Sequence, residues 1–268
     1  MLQCVRPYHW PNRGGNGTSA PELVVNIISG TSDHVEVVFG NIIGSNIFNM
    51  FLILGIASVI YPLTVHKNTL WREVPYALFA TLVFFLLVND ALFFGSESSV
   101  MSWIDSIILL VLFVGFLIQI FIGMKRTGGM IGLSVGGKFI VDNAAALAHK
   151  FNVSEKLIGL TILAAGTSLP ELATSAVAAF QKKSDLAVGN IVGSNIFNIL
   201  LVLGMTGIAS SPLEYPVMLN TDLYVVMIET FMLFLFMFTF GRYKLDRSEG
   251  AIYLLGFVAY GIFVFTRL

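Results

Sequence analysis

The chain has 268 residues, of which 56% are hydrophobic and only 12% are charged, and its mean hydropathy is +0.83. Soluble domains carry about 25% charged residues, so this composition excludes a soluble protein and predicts an integral membrane protein. The net charge of −1 argues against a nucleic-acid partner, and the single cysteine excludes a disulfide framework or a thiolate metal site.

Hydropathy predicts eight segments of about the length that crosses a bilayer, which is roughly 20 apolar residues. In chain order they are residues 36–61, 73–89, 103–124, 130–149, 156–180, 185–211, 218–240 and 249–266. A ninth apolar segment, at about 17–30, is too short to cross alone. All the connections are short, which indicates one all-α bundle without a soluble domain.

Basic residues on alternate connections predict the orientation. One side carries nine of them: Lys67, Arg72, Lys125, Arg126, Lys182, Lys183, Arg242, Lys244 and Arg247. The opposite connections contain only Lys150 and Lys156 as basic residues. By the positive-inside rule the side with nine basic residues is cytoplasmic, and the C-terminus at Leu268 is outside.

Residues 17–55 and 166–204 are nearly the same sequence. They align without a gap at an offset of 149, and 18 of the 39 positions are identical. The identities cluster in Gly-Thr-Ser-x-Pro-Glu-Leu and in Gly-Asn-Ile-x-Gly-Ser-Asn-Ile-Phe-Asn. The offset spans five predicted membrane segments, an odd number, so the two copies run in opposite directions. In transporters, such inverted repeats place the substrate site at their interface near the bilayer midplane.

The first motif places a glutamate inside a membrane segment in each copy. A charge at the bilayer centre costs roughly 2.5–3.5 kcal/mol, and such residues usually mark ion or proton pathways. Thr167 and Glu171 are four residues apart and therefore share a helix face, and Pro170 leaves the Gly166 carbonyl without its helical hydrogen bond. The first copy repeats this arrangement at residues 18–22. Hydroxyl, carboxylate and carbonyl oxygens on one face predict a site for a hard cation such as calcium.

The second motif adds further side-chain oxygens. A serine and an asparagine lie four residues apart in both copies, as Ser45 and Asn49 and as Ser194 and Asn198. The glycines of this motif predict a close approach between helices. For Asn46 and Asn195, a hydrogen bond between helices and a role in the site are equally open.

Both motifs closely resemble the alpha-repeats of the cation/calcium exchanger superfamily, in its sodium/calcium exchanger branch. The resemblance covers residue 17 to the end of the chain. It implies an inverted-repeat transporter bundle of five plus five helices, with about eight full helices and a partial one present here. It also implies two Pro-Glu carboxylates facing each other at a midplane site. Matched by motif position, the implied ion ligands are Thr18, Ser19, Glu22, Ser45, Asn49, Thr167, Ser168, Glu171, Ser194 and Asn198.

The chain departs from the family pattern at the asparagines. Many members have Asp at the position of Asn49 or Asn198, and in potassium-dependent members that Asp is tied to potassium. Both positions are Asn here, which puts potassium dependence in question.

A second departure concerns the first repeat. The second copy is preceded by a full helix at 130–149 and by KFNVSEKLIGLTILAA, whereas the first copy follows only MLQCVRPYHWPNRGGN. We therefore expect the first helix and half of the second to be missing from this sequence. The predicted division is 1–16 outside the family, 17–124 as the incomplete first repeat, 125–129 as a cytoplasmic linker and 130–268 as the complete second repeat.

The resemblance implies an antiporter, not an enzyme, that exchanges calcium for sodium by alternating access and uses no cofactor. Two alternatives stay open: proton-coupled exchange of calcium or another divalent cation, and an inactive fragment of an exchanger. The expected partners are calcium and sodium ions and the lipid bilayer, without nucleic acid, while self-association is undetermined. The expected location is the plasma or inner membrane as a multi-pass protein, with an organelle membrane as the alternative.

Overall fold

The structure, a computed structural model, describes residues 19–67, 69–95, 98–125, 163–239 and 243–267. The predicted segments 1–16 and 130–149, most of the linker 125–129, and Thr18 lie outside the described residues. The first half contains α1 (Ala20–Thr31), α2 (Val35–Ile60), β1 (Leu63–Thr64), α3 (Thr69–Leu87), α4 (Asp90–Phe94), β2 (Val100–Met101) and α5 (Trp103–Lys125). The second half contains α6 (Ala164–Thr167), α7 (Leu169–Phe180), α8 (Ser184–Ser210), β3 (Leu213–Glu214), α9 (Val217–Phe236), β4 (Lys244–Leu245) and α10 (Arg247–Thr266).

Six of the described helices are long and apolar enough to cross a membrane: α2, α3, α5, α8, α9 and α10. Their ends agree with the predicted segments to within four residues. The chain is therefore an all-α, multi-pass integral membrane protein. Helices α2 and α8 form the centre of the bundle, because 83% and 72% of their apolar windows are buried, against 22–39% for the other four.

One predicted segment, 156–180, is not a continuous helix. The helical structure is interrupted at Ser168, which separates the short helix α6 from the helix α7. Pro170 lies in the first turn of α7. Backbone N–H groups in a first turn make no hydrogen bond within the helix, so a proline there costs the helix nothing. Pro21 has the same position in α1. The prediction that Thr167 and Glu171 share the face of one helix is therefore wrong, because they lie on either side of this break.

The two halves are inverted, as the odd number of intervening segments predicts. At one end of the bundle β1 pairs with β4, and at the other end β2 pairs with β3, both antiparallel. Helix α7 leads to Lys182, whose Nζ lies 5.9 Å from the ring of Tyr61 beside β1. Helix α1 instead ends with Gly30 against Ser210, beside β3. Helices α1 and α7 therefore run in opposite directions.

Close packing of the outer helices on the central ones repeats in the two halves. Gly55 of α2 packs against Leu254 of α10, and Gly204 of α8 packs against Leu110 of α5. Gly55 and Gly204 are the same repeat position, 149 residues apart. Because a glycine has no side chain, each central helix can approach its neighbour closely at this point.

The candidate cation site

The two repeated glutamates lie in the first turns of α1 and α7. Glu22 is 1% exposed and Glu171 is 0% exposed, and each follows a serine at the N-cap position, Ser19 or Ser168. The unpaired backbone N–H groups of a helix N-terminus favour negative charge nearby. Two short helices that begin inside the bundle therefore direct their N-terminal ends, and their carboxylates, into one buried region.

The serines bind the glutamates of the opposite half. Ser19 donates a hydrogen bond from Oγ to Glu171 Oε1 at 3.2 Å, and Ser168 donates from Oγ to Glu22 Oε1 at 3.3 Å. Ser194 of α8 also donates to Glu171 Oε1, at 3.3 Å. The two carboxyl groups repel each other electrostatically when both are ionised. A cation between them would remove this repulsion.

The asparagines of the second motif form a matching pair of contacts between α2 and α8. Asn49 donates from Nδ2 to Asn195 Oδ1 at 2.9 Å, and Asn198 donates from Nδ2 to Asn46 Oδ1 at 3.2 Å. All four side chains are buried. Asn46 and Asn195 thus hydrogen-bond between helices, while the Oδ1 atoms of Asn49 and Asn198 have no hydrogen-bond partner among the described residues.

A π-helical turn occurs at this point of each central helix. It covers Phe48–Leu54 in α2 and Asn198–Val202 in α8. A π-turn adds a residue to the helical turn and is often found at functional sites. The widened turns contain Asn49 and Asn198, so the backbone geometry is irregular where the two asparagines meet the opposite half.

Thr167 links the break before α7 to helix α2. Its hydroxyl donates to the Leu163 carbonyl oxygen at 3.1 Å and lies 3.4 Å from Ser45 Oγ. Asn41 Oδ1 lies 3.4 Å from the same hydroxyl and is an alternative acceptor for its single hydrogen. Asn41 was not predicted as a site residue, although it occupies an identical position in both copies of the second motif, where Asn190 is its counterpart.

Nine of the ten predicted ligands are described, and all nine are buried in this region. Thr18 lies outside the described residues. Glu22 Oε2 has no hydrogen-bond partner in the described part of the chain, so an oxygen of the first glutamate is available to a ligand. The described residues contain no cluster of three or more His, Cys, Asp or Glu side chains that could hold a metal. A cation here would therefore be held by two carboxylates together with neutral hydroxyl and amide oxygens, a donor set that suits hard cations.

A sequence model of the family described as sodium/calcium exchanger protein matches residues 15–122 and 127–266. The chain belongs to this family. It is 32% identical to a putative antiporter, CaxA, of Alkalimonas amylolytica, over 93% of this chain and 85% of the relative. It is 31% identical to the inner membrane protein YrbG of Escherichia coli K12, over 91% of this chain and 82% of the relative.

Two more relatives carry exchanger names. The sodium/calcium exchanger MaX1 of Methanosarcina acetivorans is 26% identical, over 93% of this chain and 86% of the relative. A solved structure of the sodium-calcium exchanger NCX_Mj, soaked with Na⁺ and Sr²⁺, matches with a TM-score of 0.70 and 28% identity, over 91% of this chain and 82% of that chain. The bundle therefore has the fold of a solved exchanger.

Proposed function

We propose that this protein is an antiporter that exchanges calcium for sodium at the buried site between the two Pro-Glu motifs. The observation that carries the proposal is the reciprocal bonding of Ser19 to Glu171 and of Ser168 to Glu22. These bonds bring both glutamates into one region although their helices run in opposite directions. The solved exchanger that this chain matches was soaked with sodium and with strontium, which agrees with such a substrate pair.

Charge balance explains why the two ions would exchange. Glu22 and Glu171 together supply two negative charges, which one calcium ion neutralises. Burying an uncompensated ion costs far more than burying a paired one, so an empty site with two bare carboxylates is costly to occlude. Either calcium or more than one sodium ion removes that cost. Because both use the same carboxylates, one ion type displaces the other and the site changes sides only when loaded.

The neutral oxygens would complete the coordination. Calcium takes six to eight oxygen ligands, more than two carboxylates supply. Ser45, Ser194 and Thr167 line the region with hydroxyl groups, and Asn49 and Asn198 bring carbonyl oxygens that have no other partner among the described residues. Sodium carries a lower charge than calcium but binds the same type of oxygen ligand. The two ions would therefore use the same ligands, each with a different number of them.

Uptake of radioactive calcium into sodium-loaded liposomes tests the proposal. Diluting the liposomes into sodium-free buffer should drive uptake by the wild-type chain, and both Glu22→Gln and Glu171→Gln should abolish it. Glu36→Gln is the matched control, because Glu36 is an exposed carboxylate in the first turn of the central helix α2, and it should transport normally. Full uptake by Glu171→Gln would contradict the proposed site. Uptake driven by a pH gradient in the absence of sodium would instead identify the proton as the coupling ion.

A further inference from the structure

A third glutamate lies inside the bundle, outside the cation site. Glu229 is near the middle of α9 and is 0% exposed. Neither of its carboxyl oxygens has a hydrogen-bond partner among the described residues. The corresponding residue of the first half, 149 positions earlier, is Ala80. Glu229 is therefore a feature of one half only and is not part of the repeated motif.

The backbone of Glu229 lies beside an aromatic cluster centred on Tyr253. Tyr253 of α10 donates its hydroxyl to the backbone oxygen of Glu229 at 2.9 Å and not to the carboxyl group. The ring of Tyr253 packs edge-on against Phe236 at 5.7 Å and lies 5.9 Å from the ring of Phe51. The carboxyl group of Glu229, by contrast, receives no hydrogen bond from any of the described residues.

The charged groups of the neighbouring elements are engaged elsewhere. On α9 itself, Asp222 accepts hydrogen bonds from Arg267 and Tyr260. Lys244 of β4 pairs with Asp246 at 2.7 Å. Glu249 of α10 binds the backbone N–H of Asp246 and the hydroxyl of Thr239.

The remaining groups do not offer a counter-ion either. On the helices packed against α9, Glu36 lies in the first turn of α2, and Arg72 and Glu73 lie within the first five residues of α3. Tyr253, which contacts the backbone of Glu229, is a phenol with an ordinary pKa of about 10 and supplies no positive charge. No cationic side chain among the described residues forms an ion pair with Glu229.

A buried carboxyl group without hydrogen-bond donors binds a proton more readily than a metal ion. An isolated carboxylate in an apolar medium is so costly that the group normally takes up a proton instead. A metal ion requires several oxygen ligands, and the described residues place no cluster of three or more His, Cys, Asp or Glu side chains at Glu229. A proton requires one oxygen only. We propose that Glu229 is a proton-binding site separate from the cation site, and that its carboxyl group is protonated while the bundle is packed as observed.

Infrared spectroscopy of the full chain in lipid bilayers at neutral pH, with saturating calcium, tests this proposal. The wild-type protein should show the C=O stretching band of a protonated carboxylic acid, and Glu229→Gln should lose one acid equivalent of it per chain. Glu214→Gln is the matched control: Glu214 is exposed, so its loss should reduce only the band of ionised carboxylates. An unchanged acid band in Glu229→Gln would overturn the proposal.

A second variant tests the same proposal if Glu229→Gln does not fold. Glu229→Asp keeps an acid at the same position, and it should shift the frequency of the acid band without removing it. An acid band identical to that of the wild type in Glu229→Asp would also overturn the proposal. The spectra are recorded without transport, so the result does not depend on ion exchange. Glu229→Gln should retain sodium-driven calcium uptake, because Glu229 does not line the cation site.

Discussion

Ser19 donates a hydrogen bond to Glu171 at 3.2 Å although the two residues are 152 positions apart. The equivalent bond in the other direction joins Ser168 to Glu22 at 3.3 Å. Each repeat therefore supplies the donor that stabilises the carboxylate of the other repeat. Neither repeat can build the candidate site alone, and substitutions at equivalent positions should have similar effects.

The two serines offer the first test of this reciprocity. Ser19→Ala and Ser168→Ala each remove a hydrogen bond to a carboxylate, which contributes about 1.5–3 kcal/mol. We expect the half-saturating calcium concentration for uptake to rise by about ten- to a hundredfold in each variant. Ser32→Ala, at the exposed end of α1, is the control and should leave it unchanged. A large effect of one serine and none of the other would contradict the symmetric role.

The asparagine contacts predict an effect on stability. Asn195→Ala removes the acceptor of Asn49 and leaves a buried amide without its partner, which should lower the free energy of unfolding by about 1–3 kcal/mol. The double variant Asn49→Ala/Asn195→Ala should lose less than the sum of the two single variants, because the contact can be lost only once. Unfolding in mixed detergents, followed by tryptophan fluorescence, measures all three. Strict additivity would show that the contact contributes nothing.

Two glycines should tolerate no side chain. A Cβ added to Gly207 would lie 2.0 Å from Ser106 Oγ, and one added to Gly250 would lie 2.0 Å from Ser58 Oγ. Ser58 cannot simply turn away, because its hydroxyl is bonded to the Leu54 carbonyl oxygen at 2.9 Å. Such overpacking typically costs about 1–3 kcal/mol.

We therefore expect Gly207→Ala and Gly250→Ala to lower the thermal unfolding temperature of the purified protein. Gly261→Ala is the control on the same helix as Gly250, because a Cβ there meets no atom of the described residues within 4 Å. It should be neutral or stabilising, since alanine favours a helix over glycine by about 1 kcal/mol. Equal effects of Gly250→Ala and Gly261→Ala would rule out the close approach as the cause.

The turns that follow α1 and α7 predict the last pair of effects. Asp33 and Lys182 occupy the same repeat position and both adopt a left-handed conformation, with φ of 61° and 59°. Because this conformation is costly for β-branched residues, Asp33→Val and Lys182→Val should each destabilise the protein by about 1–2 kcal/mol. Asp33→Gly and Lys182→Gly should be at least as stable as the wild type, apart from the exposed contact of Lys182 with Tyr61. Thermal unfolding distinguishes the two outcomes, and a valine variant as stable as the glycine variant would refute the prediction.

The local geometry near the site was only partly predictable. The sequence indicates a helix broken by Pro170, yet it does not show that Thr167 and Glu171 lie in separate helices. The π-turns at Phe48–Leu54 and Asn198–Val202 have no recognised sequence signal, because they arise where two long helices pack closely. The same reason applies to Asn41, whose contact with Thr167 depends on a residue 126 positions away.

The sequence by itself determined the class of protein, the described membrane spans and the inversion of the two halves. These follow from composition, from runs of apolar residues and from an offset of 149 across an odd number of segments, all of which are local or countable properties. Only the tertiary structure decided that Ser19 meets Glu171 and that Asn49 meets Asn195. It also decided that the carboxyl group of Glu229 has no hydrogen-bond partner among the described residues. Such contacts depend on how distant helices pack, and in a bundle where nearly every helix face is apolar the sequence pattern does not specify which faces meet.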